Sequence, residues 1–493
     1  MKLNLKIKIM RQRLINKTEP QETSLPSSRM AGRSAVVAEA TSLQSLLFDS
    51  NISREEWIEG LKHHSKILTN LLLNDQVKEF DQYLRSEFSS ELHVGKKGLK
   101  DIDYRPVLQD LLQTAILIEH STIPPYLTAL YSIQDGTNAL ASQIIRSVAV
   151  EEMLHLIMVC NVLNAINIQP SVNKQQNYPT YPMKLPMNVD FYIGLETFST
   201  NSIATFIAIE SPSNSLVKAP KSAPEVESER VFASRSVAQQ ESNFWTLENM
   251  KGFIMENVHT IGEYYDVLFF YITIFQIIAY YNEHGTLPQS FNDINTGGIF
   301  TGDPAKQIRP EQYYGSGGKL HSVEALEGVI AVFQEIKGQG EGADDSIFDV
   351  DPSQFEEGAE LAHYFRFKEI FHEHFYVGGN YEPFMDENGM MPVTTPPTGK
   401  ALEVNWNAAY PMKENPKLSD YSDNAELHAQ GVEFNKTYRK LLDAIQSAVE
   451  GNQRELEKSI MYMYALKEQA VNLLKQPLNS QYNAGPTFEY TDL

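Results

Sequence analysis

Two Glu-x-x-His pairs constrain this chain more than any other feature of its sequence. The pairs are Glu152-Met-Leu-His155 and Glu360-Leu-Ala-His363, and both lie in segments whose apolar residues recur with a helical period. Side chains three positions apart leave one face of a helix about a turn apart, so each pair can hold a single ion. One such pair alone is usually a solvated surface feature. Two pairs in one chain predict helices that bring both pairs to a common site.

Two more glutamates lie in strongly apolar helical segments. Glu263 precedes the longest apolar run, 267–281. Glu119 shares its helix face with apolar side chains at helical spacings, namely Leu112, Ala115, Ile116, Ile123 and Tyr126. A lone carboxylate on such a face is costly to bury unless it is paired or bound to metal. The alternative for Glu119 is therefore a buried partner to an arginine.

The ligand candidates come, in chain order, from four successive core helices. The order Glu, Glu-x-x-His, Glu, Glu-x-x-His is that of bundles whose carboxylates bridge two iron or manganese ions. The single cysteine, Cys160, excludes a cysteine-rich site, and oxygen and imidazole donors favour iron or manganese over structural zinc. We predict two iron ions, with manganese as the alternative, held by Glu119, Glu152, His155, Glu263, Glu360 and His363.

Four further residues are candidates either for metal ligands or for groups that support the ligands. Glu151 can take the place of Glu152, because either lies about one helical turn before the same histidine. Glu256 and His259 form a third Glu-x-x-His pair in the third core helix. Glu210 follows an apolar stretch, so it either lines the site or ends a helix in solvent.

The predicted fold class is all-α: a four-helix bundle with additional N- and C-terminal helices, a long extended crossover between core helices 2 and 3, and large loops. Core helices are predicted at 103–132, from 139 to about 167, at 246–283, and from 351 past 369. Further helices are predicted at 53–88, 202–210, 321–337, 424–449 and 453–475.

The chain divides into four predicted parts. Residues 1–50 form a basic and polar tail that we expect to be disordered, and 51–100 form accessory helices. Residues 101–380 form the metal-binding bundle, with the proline-rich crossover 168–245 as an insertion. Residues 381–493 form a loop followed by a helical hairpin.

A proline pair interrupts the first core helix one turn after Glu119. Pro124-Pro125 predicts a kink that opens a substrate cavity beside the site, lined by Tyr126, Tyr264 and Tyr364. The alternative is that the helix merely bends around its neighbours and that these tyrosines pack in the core.

The charge balance restricts the partners of the chain. A net charge of −22 argues against nucleic acid, because neutralising phosphates requires clustered Lys and Arg. The longest apolar run is shorter than a membrane span, so no transmembrane segment is predicted. We predict a cytoplasmic protein, although the basic residues before Glu19 leave a targeting peptide open.

Four segments resemble the ferritin-like domain of iminophenyl-pyruvate dimer synthases of violacein-type pathways. They contain Leu111–Leu127, Glu151-Glu-Met-Leu-His155, Thr260-Ile-Gly-Glu-Tyr-Tyr265 and Glu360–Ile370, in the same order, within a likeness over about 105–475. The resemblance implies a ferritin-like fold, these metal-ligand positions and an oxidative role in specialised metabolism. Those synthases are much longer than this chain, so their substrate is not carried over, and haem stays an alternative cofactor.

Two functions follow as hypotheses. The first is a metal-dependent oxidoreductase that uses dioxygen or peroxide on a small organic substrate. The resemblance implies that this substrate belongs to the aromatic amine or imine class. The second is a metal-binding or iron-handling bundle without an organic substrate. Terminal additions and the crossover predict a monomer or small homo-oligomer rather than a closed shell.

Overall fold

The computed structural model describes residues 46, 53–73, 104–212, 247–313, 317–342, 347, 349, 360–377 and 396–493. Within these residues the regular structure is helical, and the β-structure is limited to isolated bridges. The α-helices are α1 (Arg54–Leu73), α2 (Tyr104–Ser132), α3 (Ala139–Ala165), α4 (Thr200–Ile209), α5 (Leu247–Asn257), α6 (Ile261–His284), α7 (Phe291–Asn295), α8 (Leu326–Glu341), α9 (His363–Phe371), α10 (Ala425–Val449) and α11 (Leu456–Leu474).

Four helices close a ring around the main core. Helix α2 packs along α3 and against α6, and α8 packs against both α6 and α3. The short turn 134–138 makes α2 and α3 antiparallel neighbours, as the sequence predicts. The shorter helices α4 and α9 pack on each other, and both also contact this ring. The predicted all-α class is therefore observed, with α8 as the fourth side of the bundle.

The two prolines are accommodated within α2, which continues through them to Ser132. Pro125 has no N–H to give to the carbonyl oxygen of Ser121, one turn earlier. The hydroxyl of Tyr181, from the segment after α3, donates to that oxygen at 2.8 Å. The crossover thus supplies a hydrogen bond that the helix has lost.

The predicted third core helix is divided into α5 and α6 by a break at 258–260. Thr260 is the N-cap of α6, and its hydroxyl accepts from the N–H of Glu263. The Glu263 carboxylate accepts from the N–H of His259 at 2.9 Å. A Thr-x-x-Glu sequence is typical of a helix start, so the prediction of a single helix over 246–283 is wrong.

The predicted fourth core helix is also corrected. Helix α9 begins at His363, and the residues just before it are extended: Ala362 has φ −61° and ψ 158°. The carbonyl oxygen of Glu360 accepts from the N–H of Asp349, and the N–H of Ala362 donates to Ile347. Because an extended chain rises about 3.3 Å per residue, Glu360 and His363 do not share a helix face.

Helix α8 lies further along the chain than the sequence predicts, because it begins at Leu326 instead of 321 and ends at Glu341 instead of 337. It continues past Lys337 through Gly338 and Gly340 to Glu341, a stretch that its glycines mark as flexible. Burial of Leu326, Val329 and other apolar residues along α8 holds it against the bundle. Tertiary packing has therefore outweighed the poor helix propensity of glycine.

The additions lie near their predicted places. Helices α10 and α11 pack as an antiparallel hairpin, and α10 also contacts α3. The crossover is irregular up to α4, and 213–246 lie outside the described residues. So do most of the predicted tail, 1–50, and all of 378–395 in the predicted loop. The predicted domain boundaries stay predictions.

Two core helices, α3 and α6, are long and apolar enough to cross a membrane by length and composition alone. In each, 89% of the apolar window is buried inside the protein. Their apolar surface is therefore already covered by the bundle.

Replacing Tyr181 by Phe tests the hydrogen bond to the Ser121 carbonyl of α2. Loss of the hydroxyl leaves a buried carbonyl without its donor, so we expect the free energy of unfolding to fall by about 1–3 kcal/mol. Urea denaturation is the measurement, with Tyr192→Phe as the control, because Tyr192 is 40% exposed. Equal stabilities of the two variants would contradict this account.

Candidate metal centre

Five buried side chains converge between the bundle and the α4–α9 pair. Glu119 comes from the middle of α2, Glu152 and His155 from α3, Glu210 from the C-cap of α4, and His363 from the first turn of α9. They form two groups that share Glu152, and within each group one oxygen or nitrogen per residue lies within 4.8 Å of the others. The groups are Glu119–Glu152–His155 and Glu152–Glu210–His363.

The two imidazoles direct Nδ1 toward the carboxylates. His155 Nδ1 lies 3.3 Å from Glu119 Oε2 and 3.8 Å from Glu152 Oε1. His363 Nδ1 lies 2.9 Å from the same Glu152 oxygen and 3.4 Å from Glu210 Oε2. The rings are stacked, with centroids 5.6 Å apart. Glu152 Oε1 thus lies between the two histidines.

The other oxygen of each carboxylate accepts a hydrogen bond from a hydroxyl group. The donors are Tyr265 to Glu119, Thr122 to Glu152 and Tyr126 to Glu210. Burial first, and the adjacent carboxylates second, raise the pKa of both tyrosines well above the ordinary value. Both phenols therefore stay protonated and act as donors.

The Nε2 atom of each histidine is also occupied. His155 Nε2 lies 2.7 Å from Oε1 of Gln339 in α8, whose amide orientation is set by a bond from its Nε2 to Glu335. His363 Nε2 lies 2.7 Å from Glu151 Oε2. Histidines that bind metals usually donate their second N–H in this way, which leaves the first nitrogen free to coordinate.

Two atoms at the centre of the cluster have no hydrogen-bond partner. Glu152 Oε1 and His363 Nδ1 are buried and lie 2.9 Å apart, but their geometry does not form a hydrogen bond. Buried polar atoms are nearly always satisfied, so these two atoms are suited to bind a ligand between them. Oxygen and imidazole donors around such a pair suit iron or manganese. The residues present therefore fit a bound cation.

The electrostatics of the cluster also favour added positive charge. Burial and the Glu210 carboxylate raise the pKa of Glu152 to about 7, against the effect of the histidines. Burial lowers the pKa of His155, but Glu119 and Glu152 outweigh it and raise the value to about 9. Carboxylates likewise overcome burial at His363, whose pKa rises well above its ordinary value. The protons that the raised pKa values favour on Glu152, His155 and His363 could therefore be replaced by bound metal cations.

Comparison with known proteins supports this arrangement of helices. A ferritin-like family model matches residues 112–372, which is just over half of the chain and contains all five cluster residues. The chain belongs to the ferritin-like family. No curated protein matches the chain. A solved structure described as a ferritin-like protein from Caulobacter vibrioides is similar at 17% identity and a TM-score of 0.45, covering 79% of this chain and 99% of that one.

The predicted ferritin-like fold is thereby confirmed. The finer resemblance to iminophenyl-pyruvate dimer synthases stays a prediction. A ferritin-like bundle with clustered carboxylates and histidines is compatible with metal binding. The identity and number of the ions stay predictions as well.

The structure brings only part of the predicted ligand set together. Glu119, Glu152, His155 and His363 meet in the cluster, and Glu210 joins them as a residue that lines the site. Glu263 and Glu360 belong to neither group. Glu263 caps α6 and lies 3.7 Å from Lys62, because the helix break places it in a first turn. The Glu360 side chain is 38% exposed and lies 3.7 Å from Arg366.

Glu151, Glu256 and His259 lie outside the cluster. Glu256 is exposed, and His259 lies in the break between α5 and α6, 3.5 Å from the side chain of Asn188. Glu151 points to the outer side of His363, where Arg366 donates to both of its oxygens at 3.0 and 2.8 Å. A buried Glu–Arg pair, which the sequence allows for Glu119, is thus formed by Glu151.

The cavity at the cluster differs from the predicted one. It has a volume of about 10 Å³, close to one water molecule, and opens between the start of α6 and the end of α8. Tyr265 lines it, whereas the three predicted tyrosines do not. Tyr126 is held behind Glu210, and Tyr264 donates to the carbonyl of Leu111. Tyr364 is buried against Phe365.

The sequence reasoning missed several residues that hold the ligands. Gln339 lies in a glycine-rich stretch that the sequence does not predict to be helical. Thr122 and Tyr265 lie near predicted site residues, but they belong to no motif with a characteristic spacing. Arg366 could have been predicted from the sequence. It lies within the aromatic run Tyr364–Phe367, and if that run is buried, the charge of Arg366 requires a buried partner. Its partner, Glu151, is 215 residues away.

The Glu151–Arg366 pair gives a pH-dependent stability. Burial opposes ionisation of Glu151, but Arg366 and His363 lower its pKa to about 2. A depressed carboxyl pKa stabilises the fold above the unfolded value of 4.5 and loses that effect as pH falls toward 2. We therefore expect the urea midpoint of the metal-free wild type to fall more steeply over this range than that of Glu151→Gln.

A matched control is Glu360→Gln, which removes a partly exposed carboxylate beside the same arginine. Its midpoint should follow the wild-type slope. At neutral pH Glu151→Gln should be the least stable of the three, because Arg366 stays buried without its counter-ion. Parallel slopes for Glu151→Gln and wild type would show that this carboxylate is not ionised in the fold.

Proposed function

We propose that the protein is a metal-dependent oxidoreductase with two non-haem iron ions in this cluster. One ion would be held by Glu119, Glu152 and His155, and the other by Glu152, Glu210 and His363, with Glu152 shared. Manganese is the alternative metal. A haem would need far more room than the cavity of about 10 Å³ provides.

One observation carries the proposal. Each of the five cluster residues has its outer atom engaged by a hydroxyl, amide or carboxylate, and directs its remaining atom inward. An accidental group of buried acids would turn its oxygens toward any available donor. A set held from behind by neutral and charged partners is what a metal site requires.

The iron ions would supply one-electron redox chemistry and Lewis acidity toward dioxygen or peroxide. The side chains of the protein hold the site in place. Tyr265, Thr122 and Tyr126 orient the carboxylates, and Gln339 and Glu151 fix the imidazole tautomers. The buried position excludes bulk water from the reacting groups.

The organic substrate is the finer part of the proposal. The resemblance to iminophenyl-pyruvate dimer synthases supports a small molecule of the aromatic amine or imine class in specialised metabolism. The opening between α6 and α8 is the route it would take, which requires these helix ends to move apart. We also propose a cytoplasmic monomer or small homo-oligomer without a nucleic-acid partner.

A second function is favoured by the size of the cavity. A space of about 10 Å³ admits water, dioxygen or a metal ion, but no organic molecule. A ferritin-like protein that binds or oxidises iron without an organic substrate needs nothing larger.

Metal analysis tests the ligand set. We expect iron at about two ions per chain in the wild type, and about one or fewer in His155→Ala, His363→Ala and Glu210→Ala. The controls are Glu263→Gln and Glu360→Gln, which lie outside the cluster and should keep full occupancy. Unchanged iron in all three cluster variants would reject this site.

Oxygen consumption separates the two functions. Ferrous-loaded protein is mixed with dioxygen and reductant, with and without a panel of aromatic amines and imino acids. An oxidoreductase should consume oxygen repeatedly when a substrate is present. A single uptake in proportion to iron across the whole panel, with accumulation of ferric mineral, would favour the iron-handling function instead.

A further inference from the structure

We propose that Glu341 is the acid–base group that passes protons between solvent and the buried cluster. This inference rests on the proposed reaction of the centre with dioxygen. It assigns a role to a carboxylate at the mouth of the cavity that is not among the candidate metal ligands.

The position of Glu341 is the first argument. The cavity wall joins the cluster to Ile261 and Gly262 at the start of α6 and to the last two turns of α8. Beyond the cluster and Tyr265, the ionisable groups in this wall, among the described residues, are Lys337 and Glu341. Glu341 is partly exposed. It therefore reaches both the cavity and the surface.

The helix end that carries Glu341 lies close to the cluster. A Cβ atom placed on Gly340 would lie 3.4 Å from Glu210 Oε2, so the end of α8 passes directly against a cluster carboxylate. Gly340 leaves space there that a larger residue would fill. Glu341 follows it at the last position of the helix.

The surroundings of Glu341 stabilise both of its protonation states. Its Oε1 accepts from the N–H of Gly262, in the first turn of α6, at 2.8 Å. Lys337 of α8 faces it from one turn earlier and is itself paired with Asp266 of α6 at 2.5 Å. Burial and Asp266 raise the pKa of Glu341 to about 7, against Lys337, the Gly262 N–H and the Thr260 hydroxyl.

The remaining charged groups nearby are already engaged. Glu263, in the same first turn of α6, lies 3.7 Å from Lys62 of α1. The carboxylates and histidines across the cavity are held by the hydroxyl, amide and carboxylate groups described above. Glu341 is therefore the wall residue able to lose a proton inward and regain it from solvent.

The chemistry requires such a group. Reduction of dioxygen to hydrogen peroxide takes two electrons and two protons. Two ferrous ions would supply the electrons, each losing one, and both protons would come from solvent. The Glu341 carboxyl would deliver them one after the other into the cavity, where each bonds to reduced oxygen. The carboxylate left behind is stabilised by Gly262 and Lys337 until solvent reprotonates it.

The metal-free protein provides the first test. Because Glu341 accepts from Gly262, the amide resonance of Gly262 in protein labelled with ¹⁵N-glycine should shift with a midpoint near pH 7. The shift should vanish in Glu341→Gln and persist in Glu327→Gln, an exposed carboxylate on the same helix. A flat Gly262 titration in the wild type would overturn the proposal.

The iron-loaded protein provides the second test. We expect Glu341→Gln to bind iron as the wild type does, but to be oxidised by dioxygen about 10²-fold more slowly. Formate or imidazole buffer should restore much of that rate by carrying protons in its place. Gly262→Ala should share the defect, because its Cβ would lie 2.3 Å from a Glu341 oxygen and displace it.

The outcomes separate this proposal from the function on which it rests. Normal iron binding with a wild-type oxidation rate in Glu341→Gln would reject the proton relay and leave the metal centre standing. A slow variant that no small acid rescues would show that Glu341 only holds the helix ends together. A wild type that binds no iron would overturn both proposals.

Discussion

Three buried carboxylates placed against two imidazoles form the constraint on which the rest of the bundle depends. Each carboxylate would be costly to bury alone, and burial together with the Glu210 carboxylate raises the pKa of Glu152 to about 7. Two divalent cations would bring four positive charges against three carboxylates. The hydrogen bonds behind each ligand then serve to keep the inner atoms in place. The proposed pair of metal ions would therefore compensate the negative charge that the observed geometry concentrates in the cluster.

The helices around this cluster are arranged to deliver side chains from distant parts of the chain. The long pair α2 and α3 supplies three cluster residues from regular helix interiors, whereas α4 and α9 supply one each from a helix end. Helix α8 approaches closely because Gly340 leaves room beside Glu210. It also contributes Gln339 from the same turn. Irregular geometry is thereby concentrated at the site, while the hairpin α10–α11 packs outside it.

The sequence predicts those parts of the site that depend on local periodicity. Glu119, Glu152 and His155 meet in one cluster, as the sequence predicts, because α2 and α3 are long, apolar and uninterrupted. Glu263 lies outside the cluster because a capping sequence begins a new helix there, and Glu360 lies outside it because an extended pairing replaces a helical turn. The place of Glu210 depends on Tyr126, 84 residues earlier, and on His363, so the local sequence could not decide between lining the site and ending a helix in solvent. Long-range contacts of this kind require the fold itself.

The most direct test of the central claim is a crystal structure of the iron-loaded protein with anomalous scattering measured at the iron edge. The account predicts two peaks inside the bundle. One should contact Glu119, Glu152 and His155, and the other should contact Glu152, Glu210 and His363, with Glu152 common to both. Peaks beside Glu263 or Glu360, or no ordered peak within this cluster, would contradict it.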